Sequence, residues 1–200
     1  MSPLLRRTLA ALAVTALAAS VAACSNDPVA EQYLEGDNKG YIAGDFRVDE
    51  IPADERGEPV VWEGESEHGE TLSSEGTRGG ITVVNFWYAA CGPCIAEAPD
   101  LQQVWEEYEG DDVQFVGVNT YDQADTARSF ATDHGITYPS VIDVNTGSVK
   151  LAFAAVTPIQ ATPTTLVLDR EGRVAARIIG QLEGASILST LVRETLEENA

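Results

Sequence analysis

The sequence predicts an α/β protein: a mixed central β-sheet flanked by helices, preceded by a small β extension. Three observations carry that expectation. ITVVNFW (81–87) and DVQFVGVNT (112–120) are apolar runs of strand length, as expected of strands buried on both faces. Each is followed by a stretch with helical spacing, the arrangement of parallel strands joined by crossover helices. Two further strand-like runs, TTLVLD and RVAARIIG, are joined by Arg170-Glu171-Gly172, the chemistry of a hairpin turn, and add an antiparallel pair.

Along the chain, MSPLLRRTLAALAVTALAASVAAC comes first. It has a basic pair, Arg6 and Arg7, then an Ala-rich apolar run and small residues. This is the pattern of a secretory signal, and the run is too short and too weakly hydrophobic for a membrane span. Val21-Ala22-Ala23-Cys24 resembles the bacterial lipobox, in which the cysteine thiol receives a diacylglyceryl group and becomes the mature N-terminus. Residues 1–23 are therefore expected to form a lipoprotein signal peptide. Cys24 is the expected lipidation site, anchoring the protein to the cell membrane on its extracytoplasmic side. A plain signal cleaved nearby is the alternative, and the arginine pair leaves Sec and Tat export both open.

Residues 24–40 are polar, lack an apolar period and read as a flexible tether; residues 41–200 form the expected domain. Residues 41–80 are rich in Gly and Glu and suggest an irregular β element with turns at Glu63-Gly64 and His68-Gly69. After the strand at 81–87, helical spacing runs from Gly92 to about Tyr108, with Pro99 inside it as a kink. A helix is expected over Gln123–His134, stopped by Gly135. PSVID suggests a short strand, Ser148–Ala154 a short helix and Ala185–Glu197 a closing helix. The strand–helix order is that of the thioredoxin fold.

The formal net charge is −20, and loss of Arg6 and Arg7 with the leader makes it two units more negative. This argues against nucleic acid as a partner. The chain has three cysteines. With Cys24 assigned to the leader's end, Cys91 and Cys94 remain as a single C-x-x-C. Outside the cytoplasm disulfides persist, but a loop this small restrains the unfolded chain too little to serve as a structural staple. One C-x-x-C supplies two of the four ligands of a structural zinc site, and the only histidines are His68 and His134. A c-type haem site needs histidine after the second cysteine, where Ile95 stands. The reading calls for no metal and no cofactor.

The pair opens a helix directly after a buried strand. Unpaired N–H groups and the helix dipole favour a thiolate on Cys91, lowering its pKa. An exposed Cys91 is the expected nucleophile; Cys94, one turn on and partly covered, resolves the mixed disulfide. Pro93 is tolerated at an early helical position.

NFWYAACGPCIAEAPDL, followed by ATPTTLVLDREGRV, resembles the TlpA/ResA/CcmG (DsbE) group of membrane-anchored thioredoxin-like proteins, over roughly Asp45 to Glu197. The resemblance implies a thiol–disulfide oxidoreductase. It implies that Pro163 is the family's cis-proline opposite the cysteine pair, with the backbone of Thr162 free to pair with an extended substrate segment. Glu97 matches a glutamate that tunes thiol acidity or helps select substrate; a solvated helix residue is the other reading. Two positions depart from or qualify the pattern. Ala90 stands where the group usually has tryptophan, and Asn85 replaces the buried aspartate of thioredoxin itself, as it does in ResA-like proteins.

The direction of electron flow stays open. C-G-P-C leans toward a reductase, keeping cysteines of apocytochrome c reduced for haem attachment and drawing electrons from a CcdA- or DsbD-like membrane donor. A DsbE/DsbF-like oxidant forming disulfides in secreted proteins is the alternative, and a thiol-based copper metallochaperone a third. A peroxiredoxin-type peroxidase would need a P-x-x-x-T/S-x-x-C pattern that is absent around Cys91.

Overall fold

The computed structural model describes residues 47–159 and 161–198. The signal peptide (1–23), Cys24 and the tether (24–40) assigned from the sequence lie outside the described residues.

Six strands form the main sheet, in the order β1-β8-β7-β4-β5-β6. They are β1 (Arg47–Glu50), β4 (Ile81–Trp87), β5 (Val113–Asn119), β6 (Ser140–Ile142), β7 (Thr164–Leu168) and β8 (Val174–Ile179). β4, β5 and β6 run parallel, whereas β7, β8 and β1 add antiparallel pairings. A separate hairpin joins β2 (Glu63–Glu65) to β3 (Thr71–Ser73). Among the described residues the helices are α1 (Ser74–Thr77), α2 (Gly92–Glu107), α3 (Ala124–His134), α4 (Ser148–Ala154) and α5 (Ala185–Glu197).

β4 lies at the centre of the sheet, and all seven of its residues are buried. Its side chains alternate between two cores, as the period of a strand requires. Ile81 and Val83 pack with Leu101 and Val104 of α2 and with Leu188, Leu191 and Val192 of α5. Val84 and Phe86 face the opposite core, with Val149 and Phe153 of α4 and with Val60 and Trp62. Covering both faces explains why this strand is apolar throughout instead of alternating. α2 runs through Pro99, which is exposed and does not end the helix. The left-handed cap of α3 falls on Gly135, where the sequence places its stop.

The hairpin turn between β7 and β8 is organised by Asp169. Its carboxylate accepts from the backbone N–H groups of Glu171 and Arg173 and pairs with the guanidinium groups of Arg56 and Arg173. The Asp169 and Arg56 side chains are buried, so each charge depends on the other.

The N-terminal segment differs from its sequence reading in two respects. Glu63-Gly64 is strand, not turn. Gly64 is required there by packing: a Cβ at this position would meet Val141 Cγ1 at 2.4 Å. And Arg47–Glu50 joins the edge of the main sheet through β8, where Arg177 donates to Asp49 and holds its carboxyl below the usual range. The turn at His68-Gly69 is present, with Gly69 at φ 88°.

Candidate active site

Sheet topology brings the site together. β4 ends at Trp87, and α2 starts five residues later, at Gly92. β7 runs antiparallel to β4 with Thr164 opposite Phe86, so the residues entering β7 arrive beside the start of α2. Cys91 and Pro163, far apart in sequence, meet there for that reason.

Cys91 is the N-cap residue of α2 in extended conformation, with Pro93 in the first turn. It forms a disulfide with Cys94, with an S–S distance of 2.05 Å. The Cys94 N–H donates to Cys91 Sγ at 3.2 Å. Proline has no N–H, so Pro93 adds no unpaired donor to the turn. The same N–H and the helix N-terminus face the Cys91 sulfur, an arrangement that favours a thiolate on that sulfur once the disulfide is reduced.

The Thr162–Pro163 peptide bond is cis. The Thr162 carbonyl oxygen lies 3.9 Å from Cys91 Sγ; in the disulfide that sulfur carries no proton, so this is a contact and not a hydrogen bond. Cys91 is buried like Cys94, at 2% and 3% exposure, which corrects the expectation of an exposed nucleophile. The carbonyl above Cys91 and the side chains of Trp87, Ala98, Ala127 and Phe130 around the pair account for the burial.

Glu97 is fully buried, which overturns its reading as a solvated helix residue. Its carboxylate accepts from Asn85 Nδ2 at 2.8 Å and from the Leu182 N–H at 2.8 Å. Asn85 Nδ2 also donates to Thr165 Oγ1 at 3.0 Å. β4, α2 and the segment after β8 are thus tied at one carboxylate, and β7 joins them through Asn85. Burial pushes the Glu97 carboxyl up to about 7, partly offset by the two donated hydrogen bonds and reinforced by the nearby charge of Asp100. Asn85 also lines a narrow cavity behind Cys94, with Trp87, Phe130 and Tyr138. Asn85 thus bonds the carboxylate and lines the same cavity as the second cysteine.

Several site residues carry no signal recognised in the sequence. Asn119 Oδ1 accepts from the N–H groups of Tyr121 and Asp122, an Asx turn at the end of β5. Asp122 Oδ2 accepts in turn from Asn119 Nδ2 at 3.0 Å and from the Ala89 N–H at 2.6 Å, two residues before Cys91. The Asn-x-x-Asp spacing after a strand is the available clue. Gly117 makes room for the Trp87 Nε1 to Ser140 Oγ hydrogen bond; a Cβ there would meet Ser140 Oγ at 2.2 Å. Among the described residues, no cluster of three or more His, Cys, Asp or Glu side chains is placed to hold a metal ion.

A thioredoxin fold with a C-x-x-C disulfide at the N-terminus of α2 defines a thiol–disulfide oxidoreductase. The chain belongs to the AhpC/TSA family, matched over residues 57–177. It is 29% identical over 122 residues to the thiol-disulfide oxidoreductase ResA of Bacillus thuringiensis, covering 58% of this chain and 67% of that one. With ResA of Halalkalibacterium halodurans the identity is 27% over 106 residues, 53% of this chain and 57% of the relative. The chain thus spans between 57% and 67% of these curated relatives. Among solved structures, a DsbF homologue from Corynebacterium diphtheriae is 30% identical with a TM-score of 0.64, covering 77% of this chain and 96% of that one.

The raised Glu97 pKa has a consequence for stability. A carboxyl whose pKa is higher folded than unfolded stabilises the fold fully at pH below 4.5, and that contribution is lost as pH rises to about 7. Glu97→Gln removes the titration. Its stability relative to wild type, measured by urea unfolding of the oxidised proteins, should rise between these pH values by on the order of 3 kcal/mol and then level off. A difference independent of pH contradicts the assignment.

Proposed function

We propose that this protein is an extracytoplasmic protein-disulfide reductase, tethered to the membrane by lipid on Cys24. The observation that carries the chemistry is the placement of Cys91 Sγ, under the Cys94 N–H at a helix N-terminus and beside the Thr162 carbonyl. The first feature favours a thiolate. The second offers a backbone acceptor to an extended client segment, a short β-augmentation over the sulfur.

The Cys91 thiolate attacks a client disulfide. A Cys91–client S–S bond forms, and one client sulfur leaves as a thiolate that takes up a proton. Cys94 then gives up its proton and attacks Cys91 Sγ, releasing the second client thiol. Two electrons pass from the pair to the client, and the Cys91–Cys94 disulfide is the product. Glu97, raised to about 7 and linked through Asn85 to the cavity at Cys94, is suited to receive the Cys94 proton. The Gly-Pro dipeptide between the cysteines and the similarity to ResA proteins support the reductase direction. A membrane donor of the CcdA or DsbD kind would re-reduce the pair, and apocytochrome c is the proposed client. The DsbF homologue, at 30% identity, favours a second reading, an oxidant that donates its disulfide to secreted proteins.

Cys91→Ser should abolish insulin reduction, while Cys94→Ser should accumulate mixed disulfides with clients, seen on non-reducing gels. Retained turnover in Cys91→Ser contradicts the nucleophile assignment. Equilibration with a dithiothreitol or glutathione buffer separates the two directions. The reductase reading expects a potential near or below that of thioredoxin, about −270 mV, and a value near that of DsbA, about −120 mV, would make the protein an oxidant.

A further inference from the structure

Tyr121 is 73% exposed, and its ring lies 5.7 Å from that of half-buried Tyr88, three residues before Cys91. The pair is held in place from below. The Asn119 side chain accepts from the Tyr121 N–H, and Asp122 grips the Ala89 N–H. The Thr120 N–H donates to the Trp87 carbonyl at 3.1 Å, and the Cys91 N–H donates to the Tyr88 carbonyl at 3.2 Å. Two loops, one of them leading into the nucleophile, are thereby locked together beneath an exposed aromatic pair. Ala90, between that pair and Cys91, is exposed and small, so nothing bulky of its own screens the rings from the sulfur.

The charge around this surface selects its occupant. Asp100 and Asp122 are the partly exposed acidic side chains of 88–100 and 119–126, which with 161–165 contain no Lys or Arg; the nearby Asp125 is paired with Arg128 and Glu97 is buried. The whole chain is acidic, at −20. An aromatic face in an acidic field attracts a cation through both its quadrupole and the surrounding charge, and repels an acidic side chain.

We propose that the Tyr88–Tyr121 pair is a docking surface for a cationic side chain, arginine or lysine, placed beside the reacting cysteine of a client polypeptide. The proposal rests on the disulfide-exchange reading above.

The test uses the reduced full chain and synthetic peptides with one internal disulfide, differing only in the residue beside the first cysteine: Arg, Gln, Leu or Glu. Single-turnover rates are measured at physiological ionic strength, which screens the distant charges. The Arg peptide should react about threefold faster than the Gln peptide, the size expected of an exposed cation–π contact. In the Tyr88→Leu, Tyr121→Leu double variant that ratio should fall to near unity. Because the ratio is taken within one protein, partial loss of folded enzyme cancels. An Arg preference unchanged in the variant would assign it to overall charge and overturn the proposal. So would a Leu peptide as fast as the Arg peptide, or four equal rates in the wild type. Exchange with none of the peptides would instead defeat the disulfide-exchange reading itself.

Discussion

The hydrogen bond from the Cys94 N–H to Cys91 Sγ is the point on which this site depends. It exists because Cys91 caps a helix and does not sit within it, and Cys91 caps the helix because β4 ends where it does. A sulfur in that position receives the unpaired donor and the positive end of the dipole together. The apolar length of β4, the proline in the first turn and the exit of β5 into a pinned loop all fix where that cap falls.

Around the cap, the structure surrounds the sulfurs with contrasting environments. Apolar side chains, Trp87, Ala98 and Phe130 among them, pack against the disulfide. The Asn85–Glu97–Leu182 network supplies a buried carboxylate on the Cys94 side, with both oxygens bonded. A buried carboxylate is costly when charged, and this one is kept because its donors offset part of the desolvation. The Thr162 carbonyl covers Cys91 from the third side. In the proposed exchange chemistry these serve as a nucleophile poised by backbone dipoles, a proton acceptor near neutral pH and an edge for a polypeptide to lie on.

The central strands, the active-site helix and the β7–β8 hairpin are legible in the sequence, since all three are local patterns: an apolar run, a 3.6-residue period, a Gly-containing turn after Asp169. Long-range partners are less visible. Glu97 lies among other acidic residues of α2, and its burial depends on Leu182, 85 residues away. Gly64 reads as a turn because glycine often is one, yet it is a strand residue under Val141. Cys91 reads as open to solvent, and the carbonyl that covers it comes from Thr162, 71 residues further along the chain. Pro163 is identified only through resemblance, since no local pattern distinguishes its cis bond.

The most direct test of the central claim is the pKa of the Cys91 thiol in the reduced protein, from the pH dependence of its alkylation rate with Cys94 replaced by serine. A cap position facing an open helix N-terminus predicts a value well below that of a free cysteine, about 8.5. A value at or above about 8.5 would mean that burial outweighs the helix, and the account of Cys91 as the activated nucleophile would be wrong.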